Sequence, residues 1–123
     1  MTGNEEIVRD FINAWSRLDP AELARYFSAD GTYHNMPAGP VTGRENIEKF
    51  IGGFLKNWSS TQWDILNIVS RDDVVIAERL DRTMVGARAV DLPCCGVFEM
   101  KDGKIKLWRD YFDLATYTRV LRG

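Results

Sequence analysis

The stretch VVIAERLDR, residues 74–82, decides how the chain must fold. Val74-Val75-Ile76-Ala77 is an apolar run that reads as a strand, and four of the next five residues, Glu78, Arg79, Asp81 and Arg82, carry charge. Side chains on a strand alternate between faces. Arg79 and Asp81 therefore join Val75 and Ala77 on one face, and Glu78 and Arg82 join Val74, Ile76 and Leu80 on the other. A sheet with one dry side should not scatter charge on both faces unless one pair is inside for a reason.

Working outward, the apolar period is about 2 after Trp58 and about 3.6 before it, the mark of helices followed by strands. Strands are expected over 62–70, 74–85, 89–100 and 105–112. Arg71-Asp72-Asp73 and Lys101-Asp102-Gly103-Lys104 read as hairpin turns between them, the second with the Asp-Gly pair that tolerates positive φ. Upstream, Ile7, Val8, Phe11, Ile12, Trp15 and Leu18 recur at helical spacing over about 4–18. Asp19-Pro20-Ala21-Glu22 has the residues of a capping box and should start a second helix that runs through Leu23, Tyr26 and Phe27 to a stop at 29–31. Thr42-Gly43-Arg44-Glu45 reads as another capping box, opening a third helix that carries Ile47, Phe50, Ile51, Phe54 and Leu55 on one face. Residues 114–121 should close the chain as a short helix. This order predicts an α+β fold: a curved, mixed but mainly antiparallel sheet with three to four helices on its concave side, enclosing a pocket.

At 123 residues the chain is read as one domain, 1–123, able to bury a core without disulfides or a structural metal. A net charge of -2 with 28% charged residues gives no electrostatic reason to expect nucleic acid or an acidic membrane as partner. Acidic and basic residues break the first twenty positions, and no apolar run is long enough to span a bilayer, so neither export nor membrane insertion is expected. The cysteines, Cys94 and Cys95, are adjacent and suit a reducing cytoplasm. With one histidine, His34, and no thiol cluster, a zinc site is disfavoured, and no glycine-rich phosphate loop of either common type is present.

The last strand repeats the oddity of the first. In Leu107-Trp108-Arg109-Asp110-Tyr111-Phe112, alternation puts Asp110 between Trp108 and Phe112, where burial would raise its pKa unless a cation stands opposite. Near 32–37, a short strand ended by Pro37 puts Tyr33 and Asn35 on one face and His34 on the other. Taken singly, Asp110 reads equally as half of a structural ion pair, and Tyr33 and Asn35 read as hydrogen-bond fillers. Their combination carries the functional reading.

These segments, YHNMP (33–37), ERLD (78–81), GVF (96–98) and GKIKLWRDYFDL (103–114), resemble the limonene-1,2-epoxide hydrolases, within the wider group of nuclear-transport-factor-2-like folds. The resemblance covers nearly the whole chain in order. It implies a cofactor-free hydrolase, usually dimeric, whose bent sheet and helices form a deep pocket in which water adds to a small apolar epoxide to give a diol. By position, Asp110, Tyr33 and Asn35 would hold the attacking water, Asp81 would protonate the epoxide oxygen, and Arg79 would bridge the two aspartates. Phe54, Trp58, Thr83, Leu92, Cys94 and Phe112 are the expected pocket wall, where the family tends to be aliphatic.

The chemistry explains the residue types. An epoxide oxygen leaves as an alkoxide and water is a weak nucleophile, so both ends need proton transfer, each worth roughly 10²–10⁴-fold. Two carboxylates in opposite protonation states supply both, and a fixed cation between them keeps the cluster near neutral. Two other readings use parts of the same set. A steroid-isomerase-like or polyketide-cyclase-like enzyme would use Asp110 and Tyr33 but leave Arg79 and Asp81 idle, and a non-catalytic module would use the pocket only to hold an apolar ligand.

Overall fold

A computed structural model describes residues 3–122. Helix α1 (Asn4–Ala14) runs into a 3₁₀ turn (Trp15–Arg17), and α2 (Pro20–Ala24) follows. Strands β1 (Phe27–Asn35) and β2 (Gly39–Thr42) precede α3 (Arg44–Leu55). The chain then forms β3 (Trp58–Arg71), β4 (Val74–Val85), β5 (Arg88–Lys101), β6 (Lys104–Phe112) and α4 (Leu114–Arg122). The order across the sheet is β2-β1-β6-β5-β4-β3. Only the β1–β6 pairing is parallel, because the chain leaves β1 and returns to its side through the β3–β6 meander. Register shifts in the β1–β6, β3–β4 and β5–β6 pairings mark bulges, which bend a sheet.

Three expectations change. The second helix stops at Ala24, and Phe27 is the first residue of β1, buried against Phe11 with ring centroids 5.7 Å apart. Core burial of Phe27 wins over the helical continuation that Tyr26 and Phe27 suggested. Neither capping box closes. Asp19 does accept from the Ala21 and Glu22 N–H groups, but the Glu22 carboxylate turns to Arg17, 2.6 Å away, and not back to the cap. At α3 the cap is Gly43, whose φ of 95° an L side chain adopts only with strain. Thr42 instead belongs to β2, a strand the sequence reading lacks, and its hydroxyl pairs with that of Thr32. The two expected hairpins form, with Asp72, Asp102 and Gly103 at positive φ.

The core lies between the helices and one face of the sheet. Val8, Phe11 and Ile12 of α1 and Trp15 of the 3₁₀ turn are fully buried, as are Ile47 and Ile51 of α3. Phe11 meets Trp108 edge to face at 5.1 Å and 89°, an arrangement worth about 0.5–1.5 kcal/mol beyond the area it buries. Trp108 is itself sandwiched, 4.2 Å from Tyr33 on one side and 5.2 Å from Phe98 on the other, both nearly parallel to it. A second, smaller cluster joins Val90, Leu92 and Cys94 to Phe112, Tyr117 and Val120 at the α4 end. Among the described residues no helix is long and apolar enough to cross a membrane.

Candidate active site

The face that carries Arg79 and Asp81 is the inner one. Arg79 is wholly buried and Asp81 and Asp110 nearly so. On the outer face Glu78 takes a hydrogen bond from Asn67 at 2.7 Å and Arg82 pairs with Asp64 at 2.7 Å, so the charge on both faces of β4 is paired, one set dry and one wet.

Register explains how the inner set meets. Strands β4 and β6 flank β5, so Arg79 and Asp110 are two inter-strand spacings apart, about 9–10 Å, and must reach over β5. Gly96 of β5 is the residue between, opposite Ala77 on one side and Asp110 on the other. A Cβ there would stand 2.8 Å from Trp108 Nε1 and 3.0 Å from Arg79 Nη1. The missing side chain is the channel through which the guanidinium passes.

Having passed, it grips both carboxylates. Nε and Nη2 donate to Asp81 at 2.8 and 3.0 Å, and Nη1 and Nη2 donate to Asp110 at 2.8 and 2.7 Å. Two bidentate forks on one planar cation require arginine and not lysine. The guanidinium also lies 4.3 Å above the Trp63 ring, which faces Asp81 across the β3–β4 pairing. Burial alone would weaken the Arg79 proton's hold, but the charges of Asp110 and Asp81 outweigh it and keep the group firmly cationic. Burial pushes the Asp81 carboxyl up to about 6 against the lowering pull of Arg79, with Asp110 adding to the rise. Cys94 directs its thiol at Asp81 Oδ2, 3.4 Å away.

Parallel pairing of β1 with β6 sets Asn35 directly beside Asp110 and Tyr33 beside Trp108. Among the described residues the Asn35 amide oxygen is buried with no protein partner, and the Tyr33 hydroxyl makes no protein hydrogen bond either. Desolvation and the Asp110 charge hold the Tyr33 proton on well above the ordinary phenol range. A neutral phenol, an amide and a carboxylate thus converge with capacity to spare on one cavity of about 120 Å³. Buried polar groups of that kind are completed by water or ligand.

Tyr33, Asn35, Asp81 and Asp110 all line this cavity, with Phe54, Trp58, Leu92, Cys94 and Phe112 as its expected apolar wall. Thr83 does not. Its hydroxyl bonds Thr61 at 2.7 Å, and Thr61 in turn accepts from Trp63 Nε1 at 3.0 Å, so Thr83 anchors the ring beneath Arg79. Four wall residues escaped the sequence reading: Trp15, Trp63, Leu114 and Tyr117. Trp15 sat in the α1 stripe and read as core, Trp63 follows from its register with Asp81, and Leu114 and Tyr117 share one face of the closing helix. His34 lies outside the wall, as alternation required. Among the described residues no group of three or more His, Cys, Asp and Glu side chains could hold a metal ion.

A bent, mainly antiparallel sheet with helices across one face and a pocket beneath them defines the nuclear-transport-factor-2-like class of fold. A protein of ketosteroid isomerase-like fold from Catenulispora acidiphila shares it, with a TM-score of 0.86 at 24% identity over 94% of this chain and 91% of that one. Within that class, residues 2–122 match the limonene-1,2-epoxide hydrolase catalytic domain, and the chain belongs to this family and is an epoxide hydrolase. It is 48% identical to the epoxide hydrolase EphG of Mycobacterium tuberculosis over 117 residues, 94% of this chain and 78% of that protein. A limonene-epoxide-hydrolase-like epoxide hydrolase structure from M. tuberculosis superposes with a TM-score of 0.83 at 29% identity, covering 98% of this chain and 90% of that one.

Proposed function

We propose that the protein adds water in one step to a small apolar, cyclic or terpene-like epoxide of the limonene-1,2-epoxide type, giving a vicinal diol without a cofactor. The observation that carries this reading is the doubly forked Arg79, which joins Asp81 and Asp110 at 2.7–3.0 Å beside the free Tyr33 and Asn35 groups. In the proposal Tyr33, Asn35 and Asp110 hold one water, and Asp110 takes its proton as the oxygen attacks the ring carbon. Positioning of this kind supplies much of the rate by replacing a collision with a bound geometry.

Asp81 gives its proton to the opening ring oxygen. A value of about 6 leaves a usable fraction of Asp81 protonated near neutral pH, where an unperturbed aspartic acid would hold almost none. After ring opening the proton sits on Asp110 and Asp81 is charged. Arg79, hydrogen-bonded to both, stabilises either distribution and offers the route for proton return. Phe54, Trp58, Leu92, Cys94 and Phe112 hold the hydrocarbon skeleton. We further propose that the domain spans residues 1–123 and works as a homodimer in the cytoplasm. Leu66, Val69, Ile76 and Tyr111 stand exposed on the sheet strands, apolar surface of the kind a second copy covers.

The test is diol formation from a panel of cyclic epoxides by the protein and by Asp81→Asn and Asp110→Asn. Asparagine keeps the shape but offers Arg79 one acceptor oxygen in place of two and cannot exchange protons, so each variant should lose at least about 10²-fold in turnover while staying folded. Near wild-type turnover by either variant would remove that aspartate from its role.

A further inference from the structure

At the α4 side of the cavity, Trp58 Nε1 donates to the Tyr117 hydroxyl at 2.8 Å, and both residues line the wall. An indole N–H can only donate, so the phenol oxygen is the acceptor and the phenol's own proton is left to donate elsewhere. Among the described residues no other protein group takes it. The helix that carries Tyr117 is fixed on three counts. Asp113 caps it through Ala115 N and Thr116 Oγ1, Arg88 ties its last turn through the Val120 and Leu121 carbonyls, and Val120 packs on the Val90–Leu92–Cys94 cluster. Leu114, one turn before Tyr117, faces the same cavity.

We propose that the Trp58–Tyr117 pair is a second polar recognition point in this pocket, selecting epoxides that carry a hydrogen-bond acceptor oxygen, such as a carbonyl, away from the ring that opens. The proposal rests on the substrate reading above and sharpens it. Leu92, Phe54 and Phe112 offer that part of the substrate only hydrocarbon contact, so a single oriented donor among them decides between otherwise isosteric skeletons. A donor fixed by a rigid partner loses little entropy on binding, which is why one hydrogen bond can discriminate. Because it takes no part in the proton transfers, it acts on binding alone and should appear in KM more than in kcat.

The experiment uses two probes that differ in one atom group: limonene 1,2-epoxide, and the same ring with acetyl in place of isopropenyl, so that =CH₂ becomes =O. The unmodified protein should favour the ketone by about fivefold in kcat/KM, the size of one net neutral hydrogen bond, chiefly through KM. Tyr117→Phe should bring the ratio close to one, and Trp58→Phe, which frees the phenol to rotate, should lower it in part. A ratio at or below one in the unmodified protein, or a preference that survives Tyr117→Phe, overturns the proposal. Turnover of neither probe would overturn the substrate reading beneath it, and the proposal with it.

Discussion

Replacing Gly96 with alanine adds one methyl group at the point where the Arg79 guanidinium crosses β5. The new Cβ would stand 2.8 Å from Trp108 Nε1, 3.0 Å from Arg79 Nη1 and 3.0 Å from Phe98 Cε1. All three are well inside the roughly 3.5–4.0 Å of ordinary contact. None can yield freely. Trp108 is clamped between Tyr33 and Phe98, and Arg79 is held by four hydrogen bonds with no exposed surface. Overpacking of this kind costs about 1–3 kcal/mol, which for a domain of this size lowers Tm by roughly 3–15 °C. The guanidinium atom nearest the methyl, Nη1, is the one bonded to Asp110 Oδ1, so the Asp110 fork should open before the Asp81 fork. Displacement of an ångström at a reacting group costs about 10²-fold, and the smaller shift here should cost at least about tenfold in kcat, measured far below Tm. Thermal melting and steady-state diol formation read the two effects. A Gly96→Ala protein with unchanged Tm and unchanged kcat would refute the idea that an empty position on β5 places the guanidinium.

Cys94 and His34 make two further tests. The Cys94 thiol, 3.4 Å from Asp81 Oδ2, favours the charged carboxylate, so Cys94→Val should raise Asp81 further above about 6 and Cys94→Ser, a stronger donor, should lower it. In the proposed mechanism Asp81 acts protonated, so activity should fall as pH rises through its pKa. The alkaline limb of kcat/KM should thus move up in the valine variant and down in the serine variant, and movement in the opposite sense would contradict the role given to Asp81. His34 is paired with Pro40 and Arg109 on the neighbouring strands and lies off the cavity wall. His34→Gln should change kcat by less than about tenfold, and a loss as deep as that of Asp110→Asn would mean that the imidazole reaches the reacting atoms.

Much of the architecture was legible because its signals are local. Period-2 alternation placed β3 through β6 and set Arg79 and Asp81 on one face, and alternation around Asp110 and Tyr33 did the same on β6 and β1. The boundary between α2 and β1 was not legible, since nothing near Phe27 announces that its ring belongs under Phe11. Four-residue β2 gave no periodic signal, and its Gly39-Pro40 start reads as a turn. The wall was only partly readable for a related reason. Alternation reports which face a residue occupies and not how far along the strand the cavity extends, so Thr83 shared the face of Asp81 but lies beyond the wall. Trp63 and Tyr117 come to the pocket by strand register and by the docking of α4, which are properties of the assembled fold. The function of Gly96 belongs to the same class: only when β4, β5 and β6 lie side by side does an absent side chain become a passage.

In the proposed mechanism water held by Asp110, Tyr33 and Asn35 attacks the epoxide directly, with no ester to Asp110 on the way. A single turnover in ¹⁸O-labelled water, with protein in excess over epoxide, tests it by mass spectrometry of the diol and of the peptide that contains Asp110. Direct attack puts one labelled oxygen in the diol and none in the peptide. Unlabelled diol together with label on the Asp110 carboxylate would contradict it.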